Sequence, residues 1–188
     1  MKKPILAALI VSLAAFAVAG QSSTADYSGV WKLDVDRSDV AQSPGIESMT
    51  MTVVHDAGTL SVSTETKRSA GRAGAPGRGG GMGRGGIGAG PAGDGKFTYD
   101  LNGSETKTEQ ATQFGPVPVR LKAAFEKDKL TLSSVRTLSA PMGDVSVTTR
   151  EEWVLSQDGQ RLTVKRVTET PRGTNTMTLV FTRSDQEY

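Results

Sequence analysis

From Ser28 onward, hydrophobic and polar residues take turns. In Ser28-Gly29-Val30-Trp31-Lys32-Leu33-Asp34-Val35, Trp31, Leu33 and Val35 fall on one side, and Lys32 and Asp34 on the other. A period of two marks a strand with one buried and one wet face. The pattern returns at Met49, Met51 and Val53, at Leu60 and Val62, and at Phe97, Tyr99 and Leu101. It returns again at Val119, Leu121, Ala123 and Phe125, then at Leu130 and Leu132. Val145, Val147, Trp153 and Leu155 form an eighth run, Leu162 and Val164 a ninth, and Met177, Leu179 and Phe181 the last. Ser104 to Thr112 is an almost wholly polar stretch that completes the series. About ten strands without a helical period predict an all-β fold, a single up-and-down antiparallel barrel.

The turns set the register. Asn102-Gly103 is the strongest short hairpin signal in the chain. A two-residue turn there sets Leu101 against Ser104, Tyr99 against Thr106 and Phe97 against Thr108. Ser104, Thr106, Thr108 and Gln110 then form an interior hydroxyl and amide row, which implies a wet cavity or a polar ligand group. The alternative is a barrel gap or edge strand that faces water. Asp158-Gly159 pairs Leu155 with Leu162, Trp153 with Val164, Glu151 with Arg166 and Glu152 with Lys165. Glu151 and Arg166 form either an anchor for a polar ligand head near the mouth or a solvated rim salt bridge. Long connections are expected after strands one, three, seven and nine, with a modest one after strand five. Tight turns follow strands two, four, six and eight. One end is then closed and the other is a mouth.

Residues 1–19 stand apart from the barrel. Lys2 and Lys3 precede an apolar run from Ile5 to Phe16, and Ala17-Val18-Ala19 supplies an A-x-A site. This reads as a secretory signal peptide rather than a membrane anchor, and implies a periplasmic or secreted product. No later stretch is apolar and long enough to span a bilayer as a helix. Without Lys2 and Lys3 the chain holds 20 basic and 20 acidic residues, so its charge gives no attraction to nucleic acid or anionic membranes. With no cysteine, core burial alone must hold residues 20–188 as one domain.

Residues 69–95 are dominated by Gly, Ala, Arg and Pro and are expected to be a disordered loop. Thirteen of the 22 glycines lie in it, so its nucleotide-like patterns at Gly81-x-Gly83-x-x-Gly86 and Gly90 to Lys96 follow from composition. It carries no aromatic on which a base would stack beside its Arg-Gly-Gly repeats. Asp34 to Gly45 starts like a calcium loop but has Asp39 where Gly is needed and Gly45 where Glu is needed. His55 is the only histidine and reads as a solvated turn residue beside Asp56. No cofactor, metal or catalytic constellation emerges.

Gly29-x-Trp31 on the first strand resembles the G-x-W signature of lipocalins, and Tyr27 to Leu33 is similar to the opening of fatty-acid-binding proteins. The resemblance implies a calycin-like barrel holding a small apolar molecule. It also implies that an arginine just past the last strand, here Arg183, covers Trp31. The chain lacks the T-D-Y-type second lipocalin motif and an Arg-x-Tyr clamp near its C-terminus. It also resembles uncharacterised exported bacterial proteins that open S-G-x-W-K-L.

Two functions follow as expectations. One is an exported carrier of an apolar or amphiphilic ligand, non-catalytic, with Phe97, Tyr99, Thr106, Thr108, Glu151, Trp153 and Arg166 in the site. The other is a structural or interaction module of the envelope with a solid core. In both, Gly29, Trp31 and Arg183 are structural.

Overall fold

The computed structural model describes residues 25–40, 45–69, 94–112, 115–126, 129–140 and 143–184. The expected signal peptide, and nearly all of the Gly-rich loop, lie outside these residues. The described elements are β1 (Gly29–Leu33), β2 (Ile46–His55), β3 (Thr59–Arg68), β4 (Gly95–Asp100) and β5 (Thr106–Thr112). They continue with β6 (Gly115–Glu126), β7 (Lys129–Ala140), β8 (Gly143–Leu155), β9 (Arg161–Thr170) and β10 (Gly173–Ser184). Every paired neighbour is antiparallel, and the sheet order is β4-β3-β2-β1-β10-β9-β8-β7-β6-β5. This is the expected up-and-down barrel. Pairing of β1 with β10 brings the chain's first and last strands together. The barrel is nearly closed, because its two edge strands β4 and β5 approach without forming a ladder.

That gap corrects the expected β4–β5 hairpin. Asn102 N–H donates to Asp100 Oδ1 at 2.9 Å, and Ser104 N–H donates to Asn102 Oδ1 at 2.7 Å. Asx-type turns satisfy these backbone groups locally and redirect the chain. β5 therefore pairs only with β6, with Thr106 opposite Leu121 and Thr108 opposite Val119. Thr106 and Thr108 keep inner-face register, as their buried partners require, but at an open edge. Thr108 is exposed and Thr106 half-buried.

The connections differ too. Only those after β1 and β3 are long. Ala140 pairs with Gly143 and Thr170 with Gly173, so the connections after β7 and β9 span two residues each. Both long connections do lie at one end, as expected. Part of the first is described: Asp34 N–H donates to Val180 O and Asp39 N–H to Thr178 O, both at 2.8 Å. This segment takes up the backbone groups of β10 beyond the end of β1.

The core gathers the apolar alternation. Trp31, Leu60, Tyr99, Leu130, Leu132, Trp153 and Leu162 are wholly buried, and Met49, Met51, Val53, Val119, Leu179 and Phe181 nearly so. Phe125 and Leu155 are partly buried against them. Burying a large apolar side chain contributes about 1.5–3 kcal/mol, so this set dominates the stability of a barrel without disulfides.

Candidate functional site

The closed end is a plug of aromatics. Tyr27, just ahead of β1, is wholly buried and was not singled out by the sequence pattern. Its ring centroid lies 6.1 Å from those of Trp153 and His55 and 6.3 Å from that of Phe125. Tyr27 Oη donates to Trp153 O at 3.3 Å, and Trp31 Nε1 donates to Tyr27 O at 3.0 Å. His55 belongs to the plug rather than to a solvated turn. Its ring stacks on Phe125 at 5.7 Å, and its Nδ1 accepts from Tyr27 N–H at 3.5 Å.

The contact implied by the lipocalin resemblance is present. The Arg183 guanidinium lies 4.6 Å from the Trp31 ring centroid. It also donates to Ser28 O and Gly159 O, each at 2.8 Å. Gly29 has φ +137°, and a Cβ there would sit 3.2 Å from Arg183 Nη1. The glycine thus lets the arginine reach the tryptophan.

Above the plug the inner face turns polar. The β8–β9 register is the expected one: Leu155–Leu162, Trp153–Val164, Glu151–Arg166 and Glu152–Lys165. Glu151 and Arg166 are 1% and 2% exposed, so they form an interior pair rather than a rim salt bridge. Glu151 Oε1 accepts from Arg166 Nε at 2.5 Å, and Oε2 accepts from Trp153 Nε1 at 2.7 Å. Burial pushes the Glu151 carboxyl above its ordinary value, while Arg166 and the Trp153 donor pull it down. Trp153 lies on the plug side of this pair, against Tyr27, and not at the mouth.

One step toward the mouth, the registers align Thr106, Leu121, Ser134, Thr149, Thr168 and Asn175 across six strands. Five of the six are hydroxyl or amide residues. Ser134, Thr149 and Thr168 are buried, and the Thr149 and Thr168 hydroxyls lie 3.5 Å apart. This transverse belt stands where a row along β5 was expected. The next level holds Thr108, Val119, Arg136 and Val147. Arg136 is half-buried beside the buried Val119. Burial lowers its ordinary value first, and Arg166 second.

Three buried polar atoms of inner-face residues lack a hydrogen-bond partner among the described residues: Tyr99 Oη, Thr64 Oγ1 and Asn175 Oδ1. Burial pushes the Tyr99 hydroxyl well above its ordinary value, with Glu151 adding to the shift and Arg166 and Arg136 opposing it. At the mouth, a cleft of about 320 Å³ is lined by Thr168, Thr170, Arg172, Asn175 and Met177, together with the Gly173 and Thr174 backbone region. Thr168, Thr170, Asn175 and Met177 hold inner-face register, so the cleft leads to the belt.

Of the residues chosen from the sequence, Glu151, Trp153 and Arg166 are hydrogen-bonded together, Tyr99 is buried under the influence of the Glu151 and Arg166 charges, and Phe97 is buried on β4. Thr106 joins the belt, and Thr108 faces water at the gap. Arg136, Thr64, Thr149, Thr168 and Asn175 were missed.

No family model matches the chain, and no curated protein matches it. Among solved structures, zebrafish ileal bile acid-binding protein, crystallised with cholic acid, is similar at 10% identity. That match covers 84% of this chain and 98% of the zebrafish chain, with a TM-score of 0.44. The barrel assignment rests on the ten-strand ladder itself.

Proposed function

We propose that this chain is an exported, non-catalytic barrel that binds a small molecule on its inner face, between the Glu151–Arg166 pair and the mouth. The observation that carries this reading is the set of unpartnered buried polar atoms on inner-face residues, Tyr99 Oη, Thr64 Oγ1 and Asn175 Oδ1, together with a mouth cleft that Asn175 lines. Leaving a buried donor or acceptor unpaired costs about 1–3 kcal/mol. Three such groups on the inner face suit a fold that receives its missing partners from a ligand. The ligand's polar group meets the belt and the arginines, and its apolar part meets the Met and Val side chains of the inner wall. The Glu151–Arg166 pair is already satisfied by itself and by Trp153, so it serves as the floor of the site. Export rests on the N-terminal signal pattern, and the lack of cysteine suits a protein held by its core alone.

Native mass spectrometry of protein recovered from the periplasm or medium of the exporting cell tests this. Supporting results are a processed N-terminus near Gly20 or Gln21 and an adduct released on denaturation. A bare mass, with no saturable ligand in a broad small-molecule screen, favours the structural-module reading. That second reading draws on the solid aromatic plug around Tyr27.

A further inference from the structure

The chemistry of the ligand follows from charge, unpaired groups and space, taking the interior-binding reading above as its base. We infer that the ligand is a compact organic anion rich in hydrogen-bonding groups, held on the inner face by Arg136 and Tyr99 Oη, and that long alkyl chains are disfavoured.

Charge comes first. Arg166 is answered inside the barrel by Glu151. No carboxylate among the described residues pairs with Arg136, which occupies inner-face register between Val119 and Val147. Arg172 adds a cation at the rim of the mouth cleft. A half-buried guanidinium without a counter-ion is unfavourable, and an anion from solution completes it. Guanidinium also favours planar oxyanions, which it grips with two parallel hydrogen bonds.

Unpaired groups come second. Tyr99 is wholly buried, and the charges of Glu151, Arg166 and Arg136 act on its hydroxyl. Its unused donor suits an oxyanion, and the Thr64 hydroxyl has the same unused capacity. Asn175 Oδ1 can only accept, so the ligand also carries a donor on its mouth side.

Space comes third. Below Glu151 the barrel is filled by wholly buried Trp153, Tyr27, Leu130 and Leu162. A long alkyl chain would have to lie across the belt, covering polar atoms without pairing them. The mouth cleft is at the small end of ordinary ligand pockets.

The test is calorimetric titration of the processed full chain with glucuronate, citrate, glucose and palmitate. We expect at least one of the two compact anions to bind saturably, with glucose and palmitate at least about tenfold weaker, as loss of a charged hydrogen bond implies. Arg136→Gln is expected to weaken the anion about tenfold or more, and Arg136→Lys to recover part of that loss. Tyr99→Phe removes one oxygen and is expected to weaken binding about three- to tenfold, which keeps the test open if Arg136→Gln misfolds. Glu152→Gln, on the outer face, is the unchanged control. Palmitate binding more tightly than both anions, and insensitive to Arg136→Gln, overturns this inference and leaves interior binding standing. Failure of both anions to bind also overturns it, while the native adduct mass reports separately on whether the barrel carries any ligand.

Discussion

Gly29, Trp31 and Arg183 form a lock whose parts depend on one another, and the dependence is measurable. Gly29→Ala forces a side chain onto φ +137° and sets its Cβ 3.2 Å from Arg183 Nη1. The backbone strain costs about 1–3 kcal/mol. Displacing the guanidinium weakens a cation–π contact of about 0.5–2 kcal/mol. It also weakens the hydrogen bonds to Ser28 O and Gly159 O, each about 1 kcal/mol after allowance for partial exposure. Gly29→Ala is therefore expected to cost about 2–4 kcal/mol, and Arg183→Ala about 2–3 kcal/mol. In the double variant the clash is gone and only the strain remains, so its cost falls short of additivity by about 1 kcal/mol. Urea unfolding followed by tryptophan fluorescence and far-UV circular dichroism measures all three as midpoint shifts at constant slope. Strict additivity, or a silent Gly29→Ala, would refute the close-approach explanation of the glycine.

Three other outcomes test the architecture. Trp31→Ala should cost about 3–5 kcal/mol, as loss of a buried aromatic does, and wild-type Trp emission should be blue-shifted. Glu151→Gln leaves Arg166 buried without its counter-ion and should cost about 3–5 kcal/mol in the same urea assay, whereas replacing both residues by Leu and Met should be near neutral. Replacing residues 70–93 by a short Gly-Ser turn should shift stability by no more than ~1–2 kcal/mol, because closure entropy changes slowly with loop length, and loss of the folded β signal would contradict this.

Alternation made the strands readable because each buries one face. The β8–β9 register was readable for an added reason: two opposite-charge pairs and two apolar pairs agree only in that alignment. Trp31 was readable from the alternation of the first strand, whereas the Arg183 contact was expected only through the lipocalin resemblance. The hairpin at Asn102-Gly103 misled because Asp100 and Asn102 bind their own neighbours' N–H groups, a competition invisible to a dipeptide rule. A long connection was expected after the ninth strand, yet Gly173 at φ +134° pairs directly with Thr170 across Pro171 and Arg172. Arg136 and the belt were hidden for one shared reason. Alternation identifies the inward side by its apolar residues, and on the mouth side the inward residues are Ser134, Arg136, Thr149 and Thr168. Where the inner face changes to polar, hydropathy no longer tells inside from outside. Tyr27 escaped because it lies ahead of the strand it plugs.

The central claim is that a small molecule binds on the polar half of the inner face. Amide chemical-shift mapping on isotope-labelled protein, titrated with citrate and glucuronate, tests it most directly. Saturable shifts are expected at Ser134, Arg136, Thr149, Thr168 and Asn175, with Tyr27, His55 and Gly159 at the plugged end unmoved. Shifts confined to outer-face residues such as Glu152, Lys165 and Thr178, or none with either compound, would contradict it.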